Sequence, residues 1–473
     1  MAQRIQPLKP RAKKGAAWSS KDVLQKLQEY DDDVYEDEGQ NTKWLRVYWH
    51  DYTSSAKCRL FPIEEVHRVS ETGKPFAISI TTASLGMLPI DMMIPGMVPS
   101  GAYFLHPDWS SIKAGPIEGH LSCYGEFKNP DGTEVELCPR TLLRHTLDTA
   151  AGHGLSYIIG FEIEFLVMER NPDRTSGEKY LTLRNDGHAW SMARALADWG
   201  RPGAFNTAID EIHNALKRAG IFIQQFHAES AAGQYELILP PKPPMEACDT
   251  LLHTRQIIES VSARHGYRVT LHPKPFAMAC GTASHVHMSV SSPGGNNPAV
   301  YKSFYAGILK HFRAICAFTN AHPASYERMA DSFWSGGRWV CWGTQNKETP
   351  LRKCEDGHWE LKLIDGLANP YIAMSAILAA GTNGIVNKTP MTWGDCLVDP
   401  ASLDDARRKE LGISEMFPGD LKQALEALDA DKELIKLLNP ELVKRYIDVK
   451  NAEIAFLEPM GQEERRQWIL ERY

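Results

Sequence analysis

Acidic and imidazole side chains recur two residues apart in four stretches whose neighbouring residues are typical of β-strands. Side chains at positions i and i+2 of a strand project from the same face, so each pair shares a face. If the four faces converge, five carboxylates and one or two imidazoles line a single cavity. The stretches are Gly160–Phe165 (GFEIEF), His227–Leu239 (HAESAAGQYELIL), Ser284–His287 (SHVH) and Trp359–Lys362 (WELK).

Such a cluster of carboxylates would repel itself strongly unless cations neutralised it. Hard divalent cations prefer oxygen ligands, so such ions are the expected occupants. A charged outer face on a half-exposed strand is the commoner explanation for any single pair. Four pairs in one chain favour a binding site over four solvated strand edges.

The bulk composition is that of an ordinary globular protein with room for more than one domain. The chain has 473 residues, of which 43% are hydrophobic and 23% charged. Its net charge of -7 gives no reason to expect nucleic acid or an anionic membrane as partner. The N-terminus lacks the apolar region of a secretory signal, and the longest apolar run is far shorter than a membrane span.

Cysteine usage favours a reducing, cytoplasmic location. The nine cysteines are widely spaced, their number is odd, and no CxxC or CxxH pair occurs. Neither a disulfide framework nor a structural zinc site is therefore expected.

Residues 1–17 are predicted to form a disordered tail, and a helix capped at Ser19 follows. The acidic run Asp31–Glu38 is predicted to be a loop. We place an N-terminal domain at residues 18–125, because strand-like segments dominate there. A second domain, at residues 126–473, is predicted to begin with a helix that leads directly into the GFEIEF stretch.

In their order along the chain, these stretches resemble the motifs of the glutamine synthetase family, over roughly residues 40–460. Any one motif could arise by chance, but five in the family's order form a specific signal. The matching segments are Gly160–Phe165 (G-x-E-x-E-F), Glu229–Glu236 (E-x4-Q-x-E), Lys274–Ser289 (K-P…G-x3-H-x-H-x-S), Ser325–Arg328 (S-Y-x-R) and Glu360–Tyr371 (E-x-K-x-x-D…A-N-P-Y, with lysine for the family's arginine).

The resemblance implies an α+β fold, with an N-terminal β-grasp-like domain and a large catalytic domain. The catalytic domain would hold a curved antiparallel sheet with surrounding helices. A ring-shaped homo-oligomer is also implied, with active sites between neighbouring subunits. The implied reaction uses ATP to phosphorylate a carboxylate, and an amine then attacks the acyl phosphate. Divalent cations would offset the repulsion between the triphosphate and the carboxylate.

All six metal-ligand positions of the family are filled. Matching the cation site near the amine and the acceptor substrate are Glu164, Glu229 and Glu236. Matching the cation site that holds the nucleotide phosphates are Glu162, His285 and Glu360.

Other positions match residues that contact substrate or nucleotide. Arg328 matches the arginine that holds the amino-acid carboxylate, a role suited to the planar guanidinium. The nucleotide-binding positions are His287, Ser289 and Arg352. The substrate-binding positions are Gly281, Arg328 and Lys362, and the positions assigned to catalysis are Arg328, Lys347 and Trp334.

Departures from the family pattern bear on the substrate. Where ammonia-using members have a flap glutamate, this chain has Trp334, which cannot deprotonate ammonium but can pack against an apolar or aromatic amine. Lys347 and Lys362 replace arginines of the family, so these positions keep the positive charge but lack the planar guanidinium that binds a carboxylate or phosphate through two hydrogen bonds. In the loop before the two histidines, residues 280–284 (called the glycine loop below), Cys280 and Ala283 suggest an altered acceptor pocket. The N-terminal domain also lacks the family's F-D-G-S-S segment.

The sequence therefore predicts an ATP-dependent ligase that joins an amino acid such as glutamate to an organic amine, forming a γ-glutamyl amide. Two alternatives stay open at this point. One is glutamine synthesis from ammonium, and the other is an inactive family member with a structural or regulatory role. ATP hydrolysis with and without candidate amines separates the three.

Overall fold

The computed structural model describes residues 19–35 and 42–473, except positions 174, 177, 184–186, 190–196, 198, 202–203 and 277–278. The predicted tail at residues 1–17 lies outside these described residues.

The first helix, Ser20–Tyr35, confirms the predicted cap. The Ser19 hydroxyl accepts a hydrogen bond from the Asp22 amide at 3.2 Å, and the Asp22 carboxylate accepts one from the Ser19 amide at 3.0 Å. The predicted loop is wrong over residues 31–35, where the helix continues. No glycine or proline interrupts this stretch, and acidic residues lower helix stability only slightly. The rest of that predicted loop, residues 36–38, lies outside the described part of the chain.

A mixed sheet forms the N-terminal part of the structure. Among the described residues it has five strands in the order β2-β1-β7-β6-β3, with β1 and β7 parallel and the other neighbours antiparallel. Helix Ile63–Glu71 follows β2. The strands are β1 (Trp44–His50), β2 (Ala56–Pro62), β3 (Ile78–Thr81), the short pair β4 (Met87–Leu88) and β5 (Met92–Met93), β6 (Ala102–Ala114) and β7 (His120–Lys128).

A second, larger sheet, called the catalytic sheet below, carries most of the predicted motifs. In the described residues its order is β10-β11-β8-β13-β16-β15-β14, and β9 and β12 also pair with the long strand β8. All neighbours are antiparallel except β14 and β15, and the sheet curls into a half-barrel. Its strands are β8 (Tyr157–Arg170), β9 (Tyr180–Thr182), β10 (Gln225–Ala228), β11 (Gln234–Ile238), β12 (Tyr267–Thr270), β13 (Val286–Val290), β14 (Trp342–Thr344), β15 (Leu351–Lys353) and β16 (His358–Leu361).

Helices pack around this sheet, and helices Pro298–Thr319 and Pro370–Val386 approach each other closely. A Cβ atom added at Gly307 would lie 2.4 Å from the Ala380 carbonyl oxygen, and one added at Gly384 would lie 2.2 Å from the Ser303 carbonyl oxygen. Only glycine at these two positions permits the contact. No helix among the described residues has the length and apolar character needed to cross a membrane. The helices after β7 are Pro139–Gly152, Phe205–Arg218, Pro244–Arg264, Pro298–Thr319, Ser325–Arg328, Pro370–Val386, Asp405–Glu410, Leu421–Ala430, Lys432–Leu437, Pro440–Leu457 and Gln462–Leu470.

A buried arginine ties the two sheets together. Arg140, in the first turn of helix Pro139–Gly152, is bonded to Asp108 on β6 at 2.7 Å and to Glu126 on β7 at 2.9 Å. On its other side it makes a paired contact with Asp249 of helix Pro244–Arg264, at 2.8 and 3.2 Å. Because a buried guanidinium left without partners is costly, this network fixes the N-terminal sheet against the catalytic sheet.

Candidate active site

The pairing of strands brings the predicted carboxylates onto one face of the catalytic sheet. Glu164 on β8 lies directly opposite Glu236 on β11. On the other side of β8, His287 on β13 lies opposite Glu360 on β16. Directly opposed residues of antiparallel strands project from the same face, so the i, i+2 pairs of neighbouring strands form one continuous polar surface.

His285, immediately before β13, lies at the centre of this surface. Its Nδ1 atom lies 3.0 Å from the Glu162 carboxylate, 3.4 Å from Glu360 and 3.6 Å from Glu164. Three carboxylates from two strands thus converge on one ring nitrogen. Five of the six predicted metal ligands (Glu162, Glu164, Glu236, His285 and Glu360) form this contiguous group. Ligand atoms of Glu162, Glu236 and His285 lie close enough together to hold a cation, and those of Glu162 and Glu360 do so together with His287.

Glu164 is held so that one of its oxygens is already satisfied. The Gln234 side-chain amide and the Ala283 backbone amide both donate to Glu164 Oε2 at 2.9 Å. The same Gln234 amide donates to the Gly281 carbonyl at 2.9 Å. Gln234 therefore fixes Glu164 to the glycine loop, and Glu164 Oε1 is the oxygen that faces the cluster.

Glu229, the sixth predicted ligand, lies in the turn between β10 and β11 beside two histidines. His227 Nε2 lies 3.4 Å from Glu229 and 3.6 Å from Glu236, and His188 Nε2 lies 3.0 Å from Glu229. Neither histidine is among the site residues predicted from the sequence. His227 has the same i, i+2 relation to Glu229 as the other pairs, so a signal was present. His188 comes from a distant irregular segment and had no such signal.

The pKa values of these carboxyl groups diverge. Burial, and then the negative charges of Glu162, Glu164 and Glu229, raise the pKa of Glu236 to about 9. Burial would also raise the pKa of Glu162, but hydrogen bonds from His285 and His287 hold it well below its usual range. Burial and the neighbouring negative charges thus both disfavour ionisation of Glu236, and a divalent cation bound beside it would favour the ionised form.

Cationic side chains border the cluster on the opposite edge of His285. Arg328 Nη2 lies 3.3 Å and Lys362 Nζ lies 3.4 Å from His285 Nε2. Arg328 is 2% exposed, and burial lowers its pKa. Its Nη2 donates to the Lys362 carbonyl at 3.0 Å, whereas its Nη1 has no hydrogen-bond partner in the described part of the protein. A buried guanidinium with an unused nitrogen fits the predicted role of binding a substrate carboxylate.

The predicted nucleotide-binding residues lie beyond Glu360. Arg352 on β15 is paired with Glu360 at 3.1 Å and donates to the Gln345 side chain at 2.6 Å. His287 Nε2 lies 2.9 Å from the Glu162 carboxylate. Ser289, two residues along β13 from His287, projects from the same face and lies opposite His358. All three predicted residues therefore share the face that carries the carboxylates.

The flap loop, residues 331–337, carries Trp334. The Glu348 carboxylate accepts hydrogen bonds from the amides of Ser332 and Trp334, both at 3.1 Å. The Trp334 side chain is 52% exposed, and its ring lies 6.4 Å from the ring of His188, which bonds to Glu229. The indole thus lies near His188, which in turn contacts Glu229. Both carboxylate oxygens of Glu348 thus accept hydrogen bonds from the backbone of the flap.

Lys347 is the one predicted site residue that the structure does not bring to the cluster. It is exposed in the turn between β14 and β15. No hydrogen bond or ion pair among the described residues links it to the carboxylates. Its catalytic role stays a prediction drawn from resemblance alone.

Gly281 lies against Arg328. A Cβ atom at this position would lie 2.5 Å from Arg328 Cγ and 2.8 Å from the Pro273 carbonyl oxygen. The glycine is therefore required for the arginine to reach its position beside His285.

Comparison with known proteins identifies the family and the fold of the chain. Residues 136–473 match the family described as "Glutamine synthetase, catalytic domain". The chain belongs to the glutamine synthetase family. Members of this family generally use ATP and divalent metals. The match also confirms the predicted fold class.

Three relatives illustrate the similarity. Protein fluG of Emericella nidulans is 39% identical over 434 residues, covering 91% of this chain but 49% of fluG, so the chain spans about half of that protein. Gamma-glutamylpolyamine synthetase GlnA3 of Streptomyces coelicolor is 30% identical over 352 residues, 70% of this chain and 72% of GlnA3. A solved structure described as a novel glutamine synthase homolog has the same fold, with a TM-score of 0.75 and 24% identity over 92% of this chain and 99% of its own.

Proposed function

We propose that this glutamine synthetase family member is an ATP-dependent ligase that joins the side-chain carboxylate of glutamate, or a similar amino acid, to an organic amine. The product is an amide, formed through an acyl phosphate. The observation that carries the proposal is the flap loop. It carries Trp334, which matches the position of the flap glutamate in ammonia-using members and whose indole lies 6.4 Å from the ring of His188.

The six predicted ligands are assigned to two divalent cations, Mg²⁺ or Mn²⁺. Glu164, Glu229 and Glu236 hold the first, and Glu162, His285 and Glu360 hold the second. The donor set of five carboxylates and one imidazole suits hard cations, and the raised pKa of Glu236, caused by burial and by neighbouring carboxylates, is in keeping with a site that binds positive charge. When bound, such cations stabilise the charge of a phosphoryl group in transfer.

The chain's own residues bind and orient the reactants. The buried Arg328, with its unused Nη1, binds the α-carboxylate of the amino acid. Arg352 and His287, on the nucleotide side of Glu360, bind phosphate oxygens. Lys362, 3.2 Å from Glu360 and 3.4 Å from His285, supplies a fixed positive charge between the two groups. Glu348 holds the flap backbone, so that the indole shields the amine from water.

The similarity to GlnA3, whose name describes a gamma-glutamylpolyamine synthetase, supports an amine rather than ammonium as nucleophile. The retained set of six ligands argues against an inactive member, because an uncompensated carboxylate cluster only costs stability in a protein that binds no cation. The ring-shaped homo-oligomer and the cytoplasmic location stay predictions.

A screen of amines tests the proposal. With glutamate and ATP, we expect product masses of substituted amides, formed faster than free glutamine. Trp334→Glu should lower activity with the preferred amine by up to about tenfold, since aromatic packing contributes roughly 0.5–1.5 kcal/mol beyond burial. Trp339→Phe, a tryptophan just beyond the flap, is the matched control and should change little. A wild-type protein that makes free glutamine as efficiently as any substituted amide contradicts the proposal.

Cation binding should release protons. Because the cluster raises the pKa of Glu236 from 4.5 to about 9, this carboxyl is protonated at neutral pH without cations. Binding of Mn²⁺ should then release about one proton per Glu236, and cation affinity should rise with pH up to about 9. Titration calorimetry in two buffers of different ionisation enthalpy measures the released proton.

The raised pKa of Glu236 also determines how the stability of the folded protein changes with pH. The folded pKa lies above the unfolded one, so ionising Glu236 costs stability, and without cations the melting temperature should fall as pH rises from 4.5 towards 9. Mg²⁺ should reverse that fall. Glu236→Gln should abolish both effects, whereas Glu64→Gln, an exposed carboxylate, should keep them. Proton release that is unchanged in Glu236→Gln contradicts the assignment.

A further inference from the structure

The hairpin between β15 and β16 brings a thiol and an imidazole together. The amides of Cys354 and Glu355 both donate to the His358 carbonyl, at 3.1 and 3.0 Å, which closes a tight turn. Lys353 pairs with Trp359 across the hairpin, so Cys354 and His358 flank the turn. Cys354 and His358 are separated by three residues, a spacing in the range that metal-binding pairs use.

His287 supplies a third group from β13. Its Nδ1 lies 2.7 Å from His358 Nε2, and the two ring centroids are 4.9 Å apart. One ligand atom from each of His287, Cys354 and His358 lies within 4.8 Å of the other two. All three residues are half-buried rather than sealed, so an ion can reach them from solvent.

The other nitrogen of His287 is held as in a metal-binding histidine. Its Nε2 lies 2.9 Å from the Glu162 carboxylate, which fixes the ring and leaves Nδ1 facing His358. A carboxylate on the far nitrogen of a ligating imidazole is a recurrent feature of zinc sites. The two facing nitrogens share one proton in a hydrogen bond, and a cation that binds both lone pairs displaces that proton to solvent.

We propose that Cys354, His287 and His358 form a binding site for one soft divalent cation, with Zn²⁺ as the preferred ion. The site is distinct from the two oxygen-rich cation sites. A thiolate and two imidazoles select Zn²⁺ over Mg²⁺, and three protein ligands leave one position open. In a tetrahedral site with Zn–N bonds of about 2.0 Å, the two ring nitrogens need to separate to only about 3.3 Å.

Occupation of this site inhibits the enzyme. This second part rests on the proposed function, in which His287 binds nucleotide phosphate. A cation on His287 Nδ1 pulls the ring towards the hairpin and takes it from the nucleotide. The absence of CxxC and CxxH pairs gave no reason to expect zinc, because the two histidines are 71 residues apart in the chain and only the β13–β16 pairing joins them.

Co²⁺ is a direct probe of this site in the full chain. Co²⁺ bound to a thiolate gives a ligand-to-metal charge-transfer band, and tetrahedral coordination gives intense visible bands. We expect both in the wild-type protein in the presence of excess Mg²⁺, with loss of the colour when one equivalent of Zn²⁺ is added. Cys354→Ser should abolish the charge-transfer band and His358→Ala should weaken the visible bands. Cys58→Ser, a half-buried cysteine of the N-terminal sheet, is the matched control and should retain both.

A wild-type protein without a thiolate band, or an equal band in Cys354→Ser, overturns the metal site. This readout needs no turnover, so it is independent of the proposed function. For the inhibitory part, the affinity for a fluorescent ATP analogue should fall at least about tenfold with one equivalent of Zn²⁺, and should not fall in Cys354→Ser. Zn²⁺ binding that leaves nucleotide affinity unchanged overturns the inhibition.

Discussion

Glu360→Gln should lower the affinity for ATP–Mg²⁺, and the rate of ATP consumption, by at least about 100-fold. Loss of a residue that only hydrogen-bonds to a metal ligand already lowers metal affinity or activity by about 10–100-fold, and Glu360 is proposed to be a ligand itself. Burial would raise the pKa of Glu360, but the charges of Lys362 and His285 lower it to about 2, so the carboxylate is ionised at every working pH. Glutamine keeps the shape and removes that charge. Arg352 and Lys362 then lose their shared partner, and a buried charge left without a partner is strongly unfavourable.

Calorimetric titration with ATP and Mg²⁺ measures the loss of affinity, and a thermal melt establishes that the variant folds. Glu355→Gln is the matched control, because Glu355 is an exposed carboxylate on the same hairpin. Its nucleotide affinity should stay within about twofold of wild type. Unchanged nucleotide affinity in Glu360→Gln would show that Glu360 holds no cation beside the nucleotide.

Arg328→Lys should raise the KM for the amino-acid substrate by about 10–100-fold while leaving the KM for ATP nearly unchanged. Lysine keeps the charge but cannot form two parallel hydrogen bonds to a carboxylate, and a hydrogen bond to a charged group contributes about 1.5–3 kcal/mol. The unpaired Nη1 is the atom that this substitution removes. Steady-state kinetics with each substrate varied in turn separates the two constants.

Arg313→Lys is the matched control, since Arg313 is exposed on helix Pro298–Thr319. If Arg328→Lys raised both KM values equally, the arginine would be acting on the position of the whole cluster, through His285, and not on the substrate carboxylate.

Much of the candidate site follows from one rule of strand geometry. The i, i+2 spacing predicted that Glu162 and Glu164, and likewise His285 and His287, share a face, and both histidines contact Glu162 in the structure. The resemblance to the glutamine synthetase family predicted which of these stretches lie together in one site. The position of Trp334 follows from its fixed distance to the S-Y-x-R motif, and its ring lies 6.4 Å from that of His188; its role in the site stays a prediction.

Other parts of the site could not be predicted because they depend on contacts between distant segments. His358 meets His287 only through the β13–β16 register, and His188 reaches Glu229 from an irregular segment. Gln234 was noted only as a motif residue, and its bond to Glu164 requires the side-chain geometry. The predicted loop at residues 31–35 is a helix because an acidic run does not end a helix unless it contains a glycine or proline, and this run contains neither.

The contact between Gly281 and Arg328 restricts how this enzyme could be redesigned. Saturation mutagenesis of the glycine loop should find almost no active clones at Gly281, because every side chain there displaces the arginine or the Pro273 carbonyl. Ala283 is buried and its amide holds Glu164, so larger residues there should also be rare. Cys280, half-buried at the edge of the loop, is left as the position where a library can enlarge or shrink the acceptor pocket without moving the charged groups.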